Sequence, residues 1–159
     1  MAVLKSRRLL DLERLVQLSP AELAPLIRSA GFYHIKAARL VTFMRWLEAQ
    51  DGFLGLRRIP TETLRSLLLS CDGIGPETAD SIPLYALGRP VFVVDAYTRR
   101  ILSRYGLIAG DEPYEYLRRM CESSLPCRPK FFNEYHALLV RLAKENCRSK
   151  PACDSCPLA

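Results

Sequence analysis

"GIGPETAD", residues 73–80, decides how this chain reads. Two glycines flank one apolar residue, and a proline then opens a short polar run. Gly73 and Gly75 supply the backbone freedom of a tight turn and leave no side chain in the path of an approaching ligand. Ile74 can plug that turn into a core. Pro76 suits a first helical position, where its missing N–H is no loss. Leu64, Leu67 and Leu68 precede the turn at helical spacing, and a second helical run extends from Pro76 to near Gly88. The segment therefore predicts a helix–hairpin–helix at about 64–88. The second helix, with Glu77 and Thr78 in its first turn, opens with unbonded N–H groups and a positive dipole end, which suit a phosphate oxygen. Such an element holds a nucleic-acid backbone without reading its sequence. A glycine turn that binds nothing has the same local signature.

Outward from the hairpin, the chain reads as helices almost throughout. Ser19, Pro20 and Glu22 form a capping-box signature for a helix running to about Ser29 and stopping at Gly31. Ala37, Leu40, Val41, Met44 and Leu47 mark an amphipathic helix from Tyr33 to about Gln50. "DGFLG" (51–55) and "RRIP" (57–60) predict a loop, after which Thr61 can cap the next helix. "RPVFVV" (89–94) is the one β-like run, equally readable as a buried extended connector. Asp95 stands before a helix carrying Tyr97, Ile101 and Tyr105, and two more helices are expected near 113–124 and 129–146, the last with a stripe of Phe132, Tyr135, Leu139 and Leu142. The fold class is all-α. The expected organisation is a helical core over 1–94, a second helical part over 95–146 and a cysteine-rich loop over 147–159.

Composition narrows the function. The 159 residues are 49% hydrophobic, enough for a real core, and no apolar run approaches the ~18 residues of a membrane span. "MAVLKSRRLL" lacks the long apolar run of a secretory signal, so a cytoplasmic location is expected. A net charge of +6 favours polyanionic partners, although a solvated basic surface gives the same excess. Six cysteines in such a chain point to metal or redox chemistry before disulfides.

The ordered set "GFYHIKAARL" (31–40), "GIGPETAD" and "VVDAYTRR" (93–100), followed by the cysteine tail, resembles the helix–hairpin–helix DNA glycosylases of the endonuclease III superfamily. The resemblance runs from about Leu18 to the C-terminus. It implies a monomeric enzyme of base-excision repair acting on duplex DNA that contains a damaged base. In that family an aspartate after the hairpin faces the sugar of an extruded nucleotide, and Asp95 matches it. There a fixed carboxylate stabilises the positive charge that develops as the N-glycosidic bond breaks. Asp95 is equally well placed to cap the helix that begins at Ala96.

Bifunctional members carry a lysine two residues after the second hairpin glycine, whose amine attacks the sugar and permits strand cleavage. Here that position is Glu77, which cannot form an imine. The departure implies a monofunctional glycosylase that leaves an abasic site intact. Lys36 lies in another segment and does not match the motif. Glu77 is left with two readings, a favourable charge at a helix N-terminus or a contact with base or water. Arg99 and Arg100, with Arg104, are expected at phosphates. Tyr33, His34, Trp46 and Phe53 are candidate walls of a base pocket or plain core, and alkylated purines are the leading substrate class.

"CRSKPACDSCPLA" (147–159) spaces Cys147, Cys153 and Cys156 as C-x5-C-x2-C, close enough for one loop to wrap a soft metal centre. It resembles the C-x6-C-x2-C-x5-C loop that holds a [4Fe–4S] cluster in the superfamily. It departs in a shorter first interval and in the absence of a cysteine after Cys156. A cluster is expected, with zinc as the alternative, and Cys121 or Cys127 as a fourth ligand only if the fold brings one near. Cys71 reads as a core thiol. The resemblance implies one or two further helices ahead of the segment that begins at Leu18, so either the gene start is expected upstream or the chain is a truncated member. A rival expectation is therefore a non-catalytic DNA-binding module that keeps the hairpin and the metal loop.

Overall fold

The computed structural model describes residues 2–158, and every regular element among them is helical. The chain divides into two compact units between Ile74 and Gly75, inside the hairpin rather than ahead of Asp95. The first contains α1 (Ala2–Ser6), α2 (Leu12–Leu15), α3 (Pro20–Leu26), α4 (Tyr33–Ala49), α5 (Gly52–Arg58) and α6 (Thr61–Leu69). In it α4 packs against α2, α3 and α5, and Leu4, Leu15, Leu23, Ala24, Ala37 and Val41 form a buried cluster.

Local chemistry sets where these helices begin and end. The Ser19 hydroxyl accepts from the Glu22 N–H at 3.3 Å and the Glu22 carboxylate accepts from the Ser19 N–H at 2.8 Å, a complete capping box. α3 stops at Leu26, short of Ser29, because Pro25 has no N–H for the preceding turn. A single 3₁₀ turn, Arg28–Ala30, then leads to Gly31 at φ 62°. The "DGFLG" segment is not a loop but the start of α5. Asp51 and Gly52 turn the chain in the left-handed region. A Cβ on Gly55 would lie 1.6 Å from the Gln50 carbonyl oxygen, so this glycine serves close backbone approach rather than flexibility.

The second unit contains α7 (Pro76–Ser81), α8 (Ala96–Arg104), α9 (Tyr114–Ser124) and α10 (Pro129–Glu145). The helix expected to run to Gly88 changes at Ile82 into a π-helical segment, Ile82–Ala86. Pro83 supplies the cause, since it cannot donate to the carbonyl one turn back. Its core joins Leu84, Phe92, Val93, Val94, Ile101, Leu102, Leu117, Phe132 and Leu139, with the Phe92 and Phe132 rings edge-to-face at 5.4 Å.

"RPVFVV" is an extended buried connector, not a strand: Val91 to Val94 are all buried and pair with no strand among the described residues. Two of its amides are satisfied by side chains instead, while the Val91 N–H donates to the Arg89 carbonyl at 2.9 Å. The Phe92 N–H donates to Glu122 at 3.0 Å and the Val94 N–H to the Tyr114 hydroxyl at 3.4 Å, both partners on α9.

Candidate active site

The connector delivers Asp95 to the N-cap of α8, with its Oδ1 accepting the Thr98 N–H at 2.7 Å. Asp95 Oδ2 faces His136 Nε2 of α10 at 3.5 Å, an ion-pair distance longer than a hydrogen bond, and each side chain is only 12% exposed. Behind it, His136 Nδ1 lies 2.5 Å from the Tyr85 hydroxyl of the π-helical segment. Burial pushes the Asp95 carboxyl up, but His136 and the Thr98 N–H together outweigh it and bring it from 3.8 down to about 2. Asp95 is therefore ionised over the whole neutral range.

Glu77 titrates in the opposite sense. Desolvation and then the negative charge of Asp95 raise its carboxyl above the ordinary value, and His136 offsets part of the rise. The same two acids, after desolvation, raise the Tyr85 phenol. Glu77, Tyr85, Asp95 and His136 thus form one electrostatic cluster within the second unit, and two acids of a single cluster have values pushed apart. Tyr85 and His136 escaped the sequence reading. One signal was present: His136 lies four residues after Phe132 and three before Leu139, on the buried stripe of α10, where an imidazole needs a partner.

The hairpin itself is a tight turn with Gly73 at φ 80° and the Ile74 N–H donating to the Cys71 carbonyl at 3.1 Å. A Cβ on Gly73 would come within 2.4 Å of the Arg39 side chain. Ile74 is half-buried rather than a core plug, while Gly75, Glu77 and Thr78 are exposed. Cys71 is likewise half-buried, its thiol raised by desolvation.

The arginines after Asp95 hold the chain's own carbonyls. Arg99 donates to Gly110 and Glu112, Arg100 to Ala143 and Cys147, and Arg104 to Arg148 and Ser149. These bonds give Arg99 and Arg100 an architectural role. Lys36 donates its ammonium to the Ala30 carbonyl within the first unit. Of the proposed pocket walls, Tyr33 packs against the first unit's core and lies beside His34, Trp46 stacks on Phe43, and Phe53 is 47% exposed.

Cys147, Cys153 and Cys156 line one cavity of about 610 Å³ together with Arg104, Tyr105, Asn146 and Leu158. Arg104 Nη1 lies 3.3 Å from Cys147 Sγ, a donor suited to a thiolate. Among the described residues no three His, Cys, Asp or Glu side chains stand at metal-binding distance. Neither candidate fourth ligand lines the cavity: Cys121 is buried in the core of the second unit and Cys127 is exposed.

The family model described as "HhH-GPD superfamily base excision DNA repair protein" matches residues 1–127. The chain belongs to that superfamily. Within the HhH-GPD proteins it is 42% identical to a protein of Methanocaldococcus jannaschii whose name assigns it provisionally to the DNA repair glycosylases, over 98% of this chain and 72% of that protein. Its fold is similar to the 3-methyladenine DNA glycosylase MagIII of H. pylori, solved bound to 1,N6-ethenoadenine. The TM-score is 0.79 at 25% identity, covering 91% of this chain and 74% of MagIII. It is also similar to endonuclease III in a non-covalent DNA complex, with a TM-score of 0.76 at 25% identity, covering 96% of this chain and 70% of that one.

Proposed function

We propose that this HhH-GPD chain is a monofunctional DNA glycosylase that hydrolyses the N-glycosidic bond of a damaged base in duplex DNA and leaves the abasic site intact. The observation that carries the reading is the ionised, capped carboxylate of Asp95 beside Glu77, at the hairpin position where a lyase would need an amine. The likeness to MagIII supports an alkylated purine as the substrate class.

The chemistry follows from the two acids. The hairpin at Gly73, Ile74, Gly75 and Thr78 takes the DNA backbone, and the damaged nucleotide leaves the stack to bring its sugar to Asp95. As the C1′–N bond breaks, its electron pair goes to the departing base and positive charge grows on the sugar. A carboxylate held at about 2 is a poor proton acceptor but a permanent counter-charge, so Asp95 acts electrostatically. The water that adds to C1′ must shed a proton. Glu77, whose carboxyl is raised, is the better acceptor of the two.

The donor set of the tail suits a soft metal centre at three positions. Cys147, Cys153 and Cys156 would hold a [4Fe–4S] cluster, or zinc in the alternative, with a fourth ligand not supplied by the cavity's described residues. Its contribution would be structural, pinning the loop.

The test is base release from a methylated duplex, with an alkaline step to reveal abasic sites. Product that appears only after alkali, and no borohydride-trapped adduct, is the expected result. Salt-sensitive duplex binding without base release would assign the chain instead to a non-catalytic binding role. A trapped adduct would make it a lyase.

A further inference from the structure

We propose that His136, held from behind by Tyr85, is a positioning residue that fixes the Oδ2 edge of the Asp95 carboxylate for base release. The inference rests on the glycosylase reading for its activity arm alone. Three observations carry it. His136 Nε2 is buried and has no hydrogen-bond partner among the described residues. The charged oxygen in front of it is Asp95 Oδ2 at 3.5 Å. Its other nitrogen is engaged by the Tyr85 hydroxyl at 2.5 Å.

Those contacts decide where the imidazole proton sits. An ionised carboxylate only accepts, so a nitrogen facing it must carry hydrogen. In a neutral imidazole the Nε2–H tautomer then leaves Nδ1 as the acceptor for the Tyr85 O–H; in the cation both nitrogens donate. Either way Nε2 presents a proton to Asp95. A buried donor left unmatched is unfavourable, and a movement of about half an ångström brings Nε2 and Oδ2 to hydrogen-bond range. Catalytic hydrogen bonds are commonly long in the free enzyme and tighten around substrate.

The geometry divides the work on Asp95. The Thr98 N–H holds Oδ1 from its own helix, and His136 holds Oδ2 from α10. With both edges held, the carboxylate cannot rotate away as charge develops on the sugar. The other titratable groups of the cluster are Glu77, on α7, and Tyr85 itself. Arg99 and Arg100, on α8, are turned to backbone carbonyls elsewhere.

The experiment compares His136→Leu, His136→Gln and Tyr85→Phe in the full chain by two readouts. The first is the Asp95 carboxyl titration, followed by carbon-13 NMR without DNA. His136→Leu should raise the Asp95 value, whereas His136→Gln, which keeps an N–H near the Nε2 position, should restore it toward wild type. The second is single-turnover base release from a methylated duplex. His136→Leu should slow it about 10- to 100-fold, the range of one hydrogen bond to a charged group. Partial rescue by Gln, a smaller loss in Tyr85→Phe and unchanged duplex affinity are expected alongside. Asp95→Asn combined with His136→Leu should be no slower than Asp95→Asn alone. An Asp95 titration that ignores His136→Leu overturns the inference whatever the activity. So does full base release by a folded His136→Leu protein. A wild-type chain without base release, but with the expected titration shifts, would remove the glycosylase reading and leave the positioning contact standing.

Discussion

A carboxylate at the first position before a helix can be a cap, a charge or both, and Asp95 is both. Its value of about 2, against 3.8 when unperturbed, makes it a stabilising group whose contribution is fully present above pH 3.8 and is lost as pH falls through 2. The shift corresponds to something on the order of 2 kcal/mol. Asp95→Asn keeps a good cap, so its melting temperature should fall below wild type at pH 7 and converge with it in acid. Base release should drop by about 10²- to 10³-fold, the scale of one preorganised electrostatic contact. Glu77 permits the opposite experiment. Glu77→Lys places an amine two residues past Gly75, and the expected gain is a borohydride-trapped DNA adduct. A variant that binds duplex and yields none would show that position 77 does not reach C1′. Both acids were legible from the hairpin and the helix start, which are local. Tyr85 and His136 were not, because a tyrosine beyond a proline-disturbed turn and a histidine in a distant helix meet only in the fold.

At the scale of elements, close backbone approach and side-chain capping of amides explain what periodicity missed. Gly55→Ala should destabilise the protein by about 1–3 kcal/mol, read from denaturant midpoints, since the new methyl meets the Gln50 carbonyl. A fully wild-type midpoint would refute the packing of that corner. The capping box and the long amphipathic helices were readable because their signals lie within one or two turns. "DGFLG" misled because glycines that let two helices meet look, in sequence, like glycines that end one. Pro83 likewise produced a π-helical stretch rather than a stop.

The whole molecule carries a net charge of +6, and its superfamily acts in base excision repair. If the hairpin face contacts about six phosphates, duplex affinity should fall roughly 10³-fold between 50 and 200 mM salt. A shallow salt dependence would argue against a backbone clamp. The division of the chain at the hairpin turn was not readable, because a turn's local signature says nothing of what packs on either side. Cys147, Cys153 and Cys156 stand close together in the sequence, and the fold sets all three along one cavity.

The connector before Asp95 has one more consequence, for inheritance. Its amides at Phe92 and Val94 are held by Glu122 and Tyr114, so a helix with no residue in the electrostatic cluster determines where the carboxylate emerges. Val91 and Val93 lie outside those two bonds and are constrained instead by their burial. A change at 122 would be tolerated only where a compensating acceptor arose with it, and descendants of this chain should keep or exchange those distant positions as a set.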